Sequence, residues 1–146
     1  MLFDISKKSK YAITALVALA LTESDRPLTA RAIAGQQQVP VRFLEIILNE
    51  LKQGGFVRSL RGKAGGYVLA RPAREITTNN VFNFLESPFS EPVPATQSPI
   101  LGQLALESLM EQANQAITDV FDNTTIEDIA QQEIRRRDAF EINYVI

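Results

Sequence analysis

An abrupt change of hydrophobic period at a pair of glycines constrains this chain more than any other feature. Leu44, Ile47, Leu48 and Leu51 recur at i, i+3, i+4 and i+7, one apolar stripe of an α-helix read over about 40–53. The opposite side carries Arg42, Glu45, Asn49 and Gln53, with Ile46 as an apolar irregularity. Gly54-Gly55 stops the helix, because glycine accepts the left-handed cap. Beyond it, Phe56-Val57-Arg58-Ser59-Leu60-Arg61 reads as a strand and Gly66-Tyr67-Val68-Leu69-Ala70 as its return, with Gly62-Lys63-Ala64-Gly65 as a flexible hairpin tip.

The segment upstream fits a second, shorter helix. Asp25-Arg26-Pro27 signals a turn, Thr29 can cap a helix running to about Gln36, and Ile33 and Ala34 supply its inward face. Val39 is apolar within a polar turn and plugs the angle between two helices. Pro40 sits where a first turn tolerates a missing N–H. Two helices joined by a tight turn, the second amphipathic, describe a helix–turn–helix, and a glycine- and arginine-bearing hairpin directly after it describes a wing. A glycine-rich loop that cradles a nucleotide should open a helix; this one joins two strands, so that reading fails.

The arrangement suits duplex DNA. The polar side of residues 40–53 would enter the major groove, with Pro40, Val41 and Asn49 on the approaching face. Arg42 is the candidate for a guanine contact through O6 and N7, and Glu45 for a cytosine amino group. Arg58, Ser59, Arg61, Gly62, Lys63, Ala64, Gly65 and Gly66 form the candidate wing contacts. Lys7, Lys8, Lys10, Thr29 and Arg31 would hold phosphates and set register without reading sequence.

Charge is divided along the chain. Residues 1–80 hold 12 Lys and Arg against 6 Asp and Glu, and residues 81–146 hold 3 against 11. A basic first half can meet a polyanion, while an acidic second half avoids one; two solvated surfaces of opposite sign are the plainer alternative. The absence of Cys and His removes zinc fingers, Cys-ligated clusters, His-held haem and the usual nucleophile–base pairs, so no cofactor, no metal site and no enzyme are expected. Lys7, Lys8 and Lys10 before the apolar stretch Tyr11–Leu21 imitate a secretory signal. Asp4 argues against one, and a core helix capped by Ser6 in a cytoplasmic protein is the preferred reading. No apolar run reaches the roughly 20 residues of a membrane span.

The second half reads as an assembly region, giving two units, 1–80 and 81–146. Thr77 or Thr78 can cap a short helix through Val81, Phe82 and Leu85. Residues 87–98 read as a loop, where an effector would be sought. Ser98-Pro99 starts a long helix over about 99–122. Its residues Leu106, Met110, Ala113, Ile117 and Val120 follow gaps of four, three, four and three, a dimerisation seam, against the alternative of an intramolecular core helix. Thr124 to Glu127 has capping-box spacing for another helix. Arg135-Arg136-Arg137 would lie at that helix's C-terminus, complementing the macrodipole. The ending from Phe140 alternates and reads as a terminal strand.

Together, Tyr11-Ala12, Ile33-Ala34, Phe43-Leu44-Glu45, Leu51-Lys52-Gln53-Gly54-Gly55-Phe56-Val57, Ser59-Leu60-Arg61-Gly62, Gly65-Gly66-Tyr67-Val68-Leu69-Ala70 and Asn123–Ile129 resemble the Rrf2 family of winged-helix bacterial regulators. The resemblance covers about residues 2–134. It implies a mainly α fold with a small β-hairpin wing, a winged helix–turn–helix followed by a long dimerisation helix. It also implies a homodimer on an inverted-repeat operator, usually a repressor, with the Glu45 position contacting bases. Sensing members of the family carry cluster-ligating cysteines around the loop and the start of the long helix; this chain has none, so the resemblance implies a cluster-free regulator. Lys63-Ala64 replaces the usual Pro-Gly of the wing tip, and Arg42 stands where the family often has a small hydroxyl residue. The expected partners are double-stranded DNA, a second copy, and a small-molecule or protein effector, with no membrane. The rival reading is a module of the same fold that docks a metabolic enzyme or another regulator.

Overall fold

A computed structural model describes residues 4–22, 26–86 and 100–144. Among the described residues six α-helices and one hairpin follow in order: α1 (Lys7–Ala20), α2 (Ala30–Gln37), α3 (Val41–Gln53), β1 (Val57–Leu60), β2 (Gly66–Leu69), a 3-10 turn (Ala73–Glu75), α4 (Thr78–Leu85), α5 (Gln103–Asp122) and α6 (Ile126–Tyr144). The fold is therefore mainly helical with a two-stranded antiparallel wing, in the register Val57–Leu69, Arg58–Val68, Ser59–Tyr67 and Leu60–Gly66.

Local chemistry explains the boundaries. Ser6 caps α1 by accepting from the Ser9 N–H, and Thr29 caps α2 by accepting from the Ala32 N–H. α2 ends on Gln38 in the left-handed region (φ 55), a conformation that few non-glycine residues hold, and this reverses the chain into α3. Pro40 occupies the cap position one residue before α3. Gly55 takes φ 74 after α3, as its place at the change of period requires. Thr77 and Asn80 form a reciprocal capping box on α4.

The core lies where α1, α2, α3, α4 and the start of α6 converge. Leu16, Ile33, Leu44, Ile47, Leu48, Leu51, Ile76, Val81 and Ile126 are all fully buried there. The Tyr11–Leu21 stretch is thus the central core helix, with Ala12, Ala15, Leu16 and Leu19 inward. α6 is fastened by main-chain bonds: the Ile126 N–H donates to the Ile76 carbonyl at 2.9 Å, and the Thr78 N–H to the Thr124 carbonyl at 2.9 Å. The Thr78 hydroxyl reaches the Phe121 carbonyl at 2.9 Å. In contrast, no α5 residue is buried.

Several expectations are corrected in the second half. The long helix begins at Gln103 rather than about 99, because Gly102 precedes it at φ 86, outside the helical region. The loop 87–98 and the Ser98-Pro99 start lie outside the described residues. The ending is helical to Tyr144 rather than a strand, with the Phe140 and Tyr144 rings meeting one turn apart at 4.6 Å. Arg135–Arg137 accordingly lies inside α6. Arg136 and Arg137 both donate to Glu133 (2.8–2.9 Å), and their guanidiniums, Arg136's first, hold its carboxyl down to about 2.

Glu86, at the end of α4, clasps the start of α1. Its Oε1 accepts from the Ser6 hydroxyl at 2.6 Å, the Ser6 N–H at 3.2 Å and the buried Ser9 hydroxyl at 2.6 Å. The donated hydroxyls hold the Glu86 carboxyl below its ordinary value of 4.5. A lowered folded pKa gives stability that is complete above that value and is lost as pH falls through the folded one. Glu86→Ala, which strands the Ser9 hydroxyl, should lower unfolding free energy by about 1–2 kcal/mol near neutrality. Urea melts should show the gap to the unsubstituted protein closing as pH falls below that ordinary value of 4.5.

Candidate nucleic-acid interface

Burial of one side of α3 fixes what the other presents. Arg42, Glu45 and Asn49 are exposed with Pro40, while Val41 is half-buried against the core. Ile46 is exposed at 58%, so the residue that looks irregular in the sequence shares the outward side of α3 with them. Tyr11 meets Phe43 edge-on at 5.7 Å and steadies α3 from the α1 side.

The wing, β1 and β2, follows α3 directly in the chain and packs against it through β1. Arg58, Ser59, Leu60, Arg61, Gly62, Lys63 and Ala64 are all exposed, and the Gly65 N–H closes the tip on the Gly62 carbonyl at 3.0 Å. Tyr67 and Leu28 exchange two main-chain bonds of 2.7 and 3.0 Å, so β2 is tied to the segment leading into α2. That pairing explains Gly66: a Cβ there would lie 2.6 Å from the Leu28 carbonyl oxygen, and its φ is +149. Arg71 is held differently from the tip residues, its guanidinium 5.1 Å over the Phe56 ring.

The remaining basic residues are not equivalent. Lys7 and Arg31 are exposed, and Thr29 is exposed while its oxygen caps α2. Lys8 pairs with Glu50 at 3.1 Å, joining the start of α1 to α3, and Lys10 pairs with Asp4 at 3.0 Å. A phosphate contact by Lys8 or Lys10 would have to displace a carboxylate, and exposed pairs of this kind contribute about 0–1 kcal/mol.

The apolar seam of α5 is separate from this surface. Leu106, Met110 and Val120 are exposed at 59%, 52% and 62%; Ala113 is exposed and Ile117 half-buried. Among the described residues no helix is long and apolar enough to cross a membrane.

A family profile described as "Rrf2: Iron-dependent Transcriptional regulator" matches residues 5–132. The HTH-type transcriptional regulator CymR of Bacillus subtilis is 31% identical over 136 residues, covering 93% of this chain and 96% of that protein. The solved structure of CymR, described as the global cysteine regulator of B. subtilis, superposes with a TM-score of 0.78 at 32% identity, covering 89% and 98% of the two chains. T. potens IscR gives 0.75 at 27% identity, covering 90% and 88%. The iron of the profile's description finds no fitting donor set: the chain has no Cys or His, and no group of three or more Asp and Glu that could hold an ion occurs among the described residues.

The glycine geometry yields a comparative test. Gly66→Ala should cost about 1–3 kcal/mol through strain and loss of the Leu28–Tyr67 pair. Gly62→Ala carries strain from its φ of +111 too, but its added carbon meets nothing within 4 Å, so it should cost less. Thermal melts of the two variants decide the order.

Proposed function

The chain belongs to the Rrf2 family of transcriptional regulators, and from that premise we propose that it acts as a homodimeric repressor on an inverted-repeat operator, in the cytoplasm and without an iron–sulfur cluster. The observation that carries this reading is the joint exposure of Arg42, Glu45 and Asn49 on α3 and of the cationic wing tip that follows that helix. Arg42 and Glu45 read bases. Arg58, Arg61 and Lys63 meet phosphates, as do Lys7, Lys8, Lys10, Thr29 and Arg31. Residues 1–80 would supply the DNA contacts and residues 81–146 dimerisation and regulation, with α4 and the start of α6 packed into the core shared with α1 to α3.

Homodimerisation is supported by α5, whose seam Leu106, Met110, Ala113, Ile117 and Val120 is left unburied among the described residues, with Ile117 half-covered. A contiguous apolar stripe on a soluble chain marks an association surface. Two-fold pairing would set the two α3 helices on successive major-groove faces, roughly 34 Å apart. The acidic character of residues 81–146 keeps the paired helices off the phosphates. A small-molecule or protein effector, or protein abundance, supplies the control that cluster-ligating cysteines would otherwise provide.

Titration of selected operator fragments at two salt concentrations tests the reading. Arg42→Ala should relax base preference. Lys63→Ala should weaken binding on all sequences and lower the salt slope by about 1. Equal losses for Arg42→Ala on cognate and scrambled DNA would remove its base-reading role. Met110→Glu should give a folded monomer in sedimentation, with operator affinity reduced about 100-fold as one half-site's contacts are lost. A protein that shows no preferred DNA but retains a protein in pull-downs would be a docking module instead.

A further inference from the structure

Ile46 places a branched aliphatic side chain, 58% exposed, on the face of α3 that is otherwise polar. Single exposed apolar residues are common on protein surfaces, so exposure by itself decides nothing. Position does. At about 100° per residue, Ile46 lies about 40° around the helix from Arg42 and about 60° from Asn49. A surface that takes up those two side chains must also cover Ile46. Covering it removes an apolar group from water, which is favourable only against another apolar group.

The major groove offers one such group on its base edges, the C5 methyl of thymine; every other recognition feature there is a hydrogen-bond donor or acceptor. We infer that Ile46 is a specificity-determining residue that selects thymine through its methyl group. This rests on the DNA-reading role of α3 proposed above. The β-branch leaves Ile46 few side-chain rotamers in a helix, so its methyls are held in place before contact. Four residues of helix advance about 6 Å from Arg42, close to two base steps of about 3.4 Å. The thymine therefore lies within about two base pairs of the guanine that Arg42 reads.

The test uses the full chain and an operator obtained by selection from random duplexes. Each thymine in a half-site is replaced by deoxyuridine, which deletes only the methyl. One replacement per half-site should weaken binding about three- to tenfold. Ile46→Ala should lose the same factor on the thymine operator and nothing more on the deoxyuridine one. Selection with Ile46→Ala should lose the preference at that base pair alone. Ile46 is outside the core, so the variant is expected to keep its melting temperature, and circular dichroism checks this. The inference is overturned if Ile46→Ala binds and selects like the unsubstituted protein, or if the two losses are independent and multiply. A clear operator with no Ile46 effect leaves the DNA-reading role standing; absence of any preferred operator overturns both.

Discussion

The contact of α3 with α1 and α2 governs most of what this protein presents to its surroundings. Leu44, Ile47, Leu48 and Leu51 have no exposure at all, and each buried side chain of this size contributes about 1.5–3 kcal/mol. Turning α3 by one residue about its axis would expose part of that stripe and bury Arg42 or Glu45 instead. The penalty for burying an unpaired charge excludes that alternative. The outward direction of Arg42, Ile46 and Asn49 is thus set by side chains that never meet solvent. Gln38 and Pro40 add the entry angle, and the Tyr11–Phe43 contact adds a lateral brace.

Most features determined within a few residues were legible in the sequence, although the capping box of α6 runs from Thr125 to Asp128, one residue later than the Thr124–Glu127 spacing indicates. Ser6, Thr29 and Thr77 cap where their hydroxyls indicate, the α3 stripe is buried as its spacing requires, and Gly54-Gly55 marks the passage to the hairpin. The end of α6 was not legible, because Phe140 to Tyr144 contains too few residues to separate a two-residue period from a helical one. The bonds from Glu86 to Ser6 and Ser9 span 77–80 positions and leave no local signature. Arg135–Arg137 misled for a related reason. With the helix expected to stop there, a macrodipole role followed; with the helix continuing, Glu133 one turn earlier becomes the partner of Arg136 and Arg137.

The surface face of α3 illustrates a different limit. Periodicity assigns Ile46 to the polar side and can only register it as an exception. The structure gives the exception a location on the exposed side of α3 next to Arg42 and Asn49, and the location is what carries chemical meaning. The lysines of α1 show the reverse. Of three equivalent positive charges in the sequence, two are already paired, Lys8 with Glu50 and Lys10 with Asp4. Net charge describes the long-range field of the first half, whereas pairing decides which cations are available at contact distance.

That α5 contributes nothing to the buried core has a consequence for how the protein comes into being. The core of α1 to α4 and the start of α6 can close within a single chain, so folding and the covering of α5 are separate events of different kinetic order. The first proceeds at a rate independent of copy number. The second, when the cover is another chain, slows in proportion as the chain becomes scarce. A newly synthesised protomer in a cell with few copies would spend longer with its leucines bare, open to proteases and to adventitious association. Expression level would then set the lifetime of the unassembled chain as well as the supply of the assembled one.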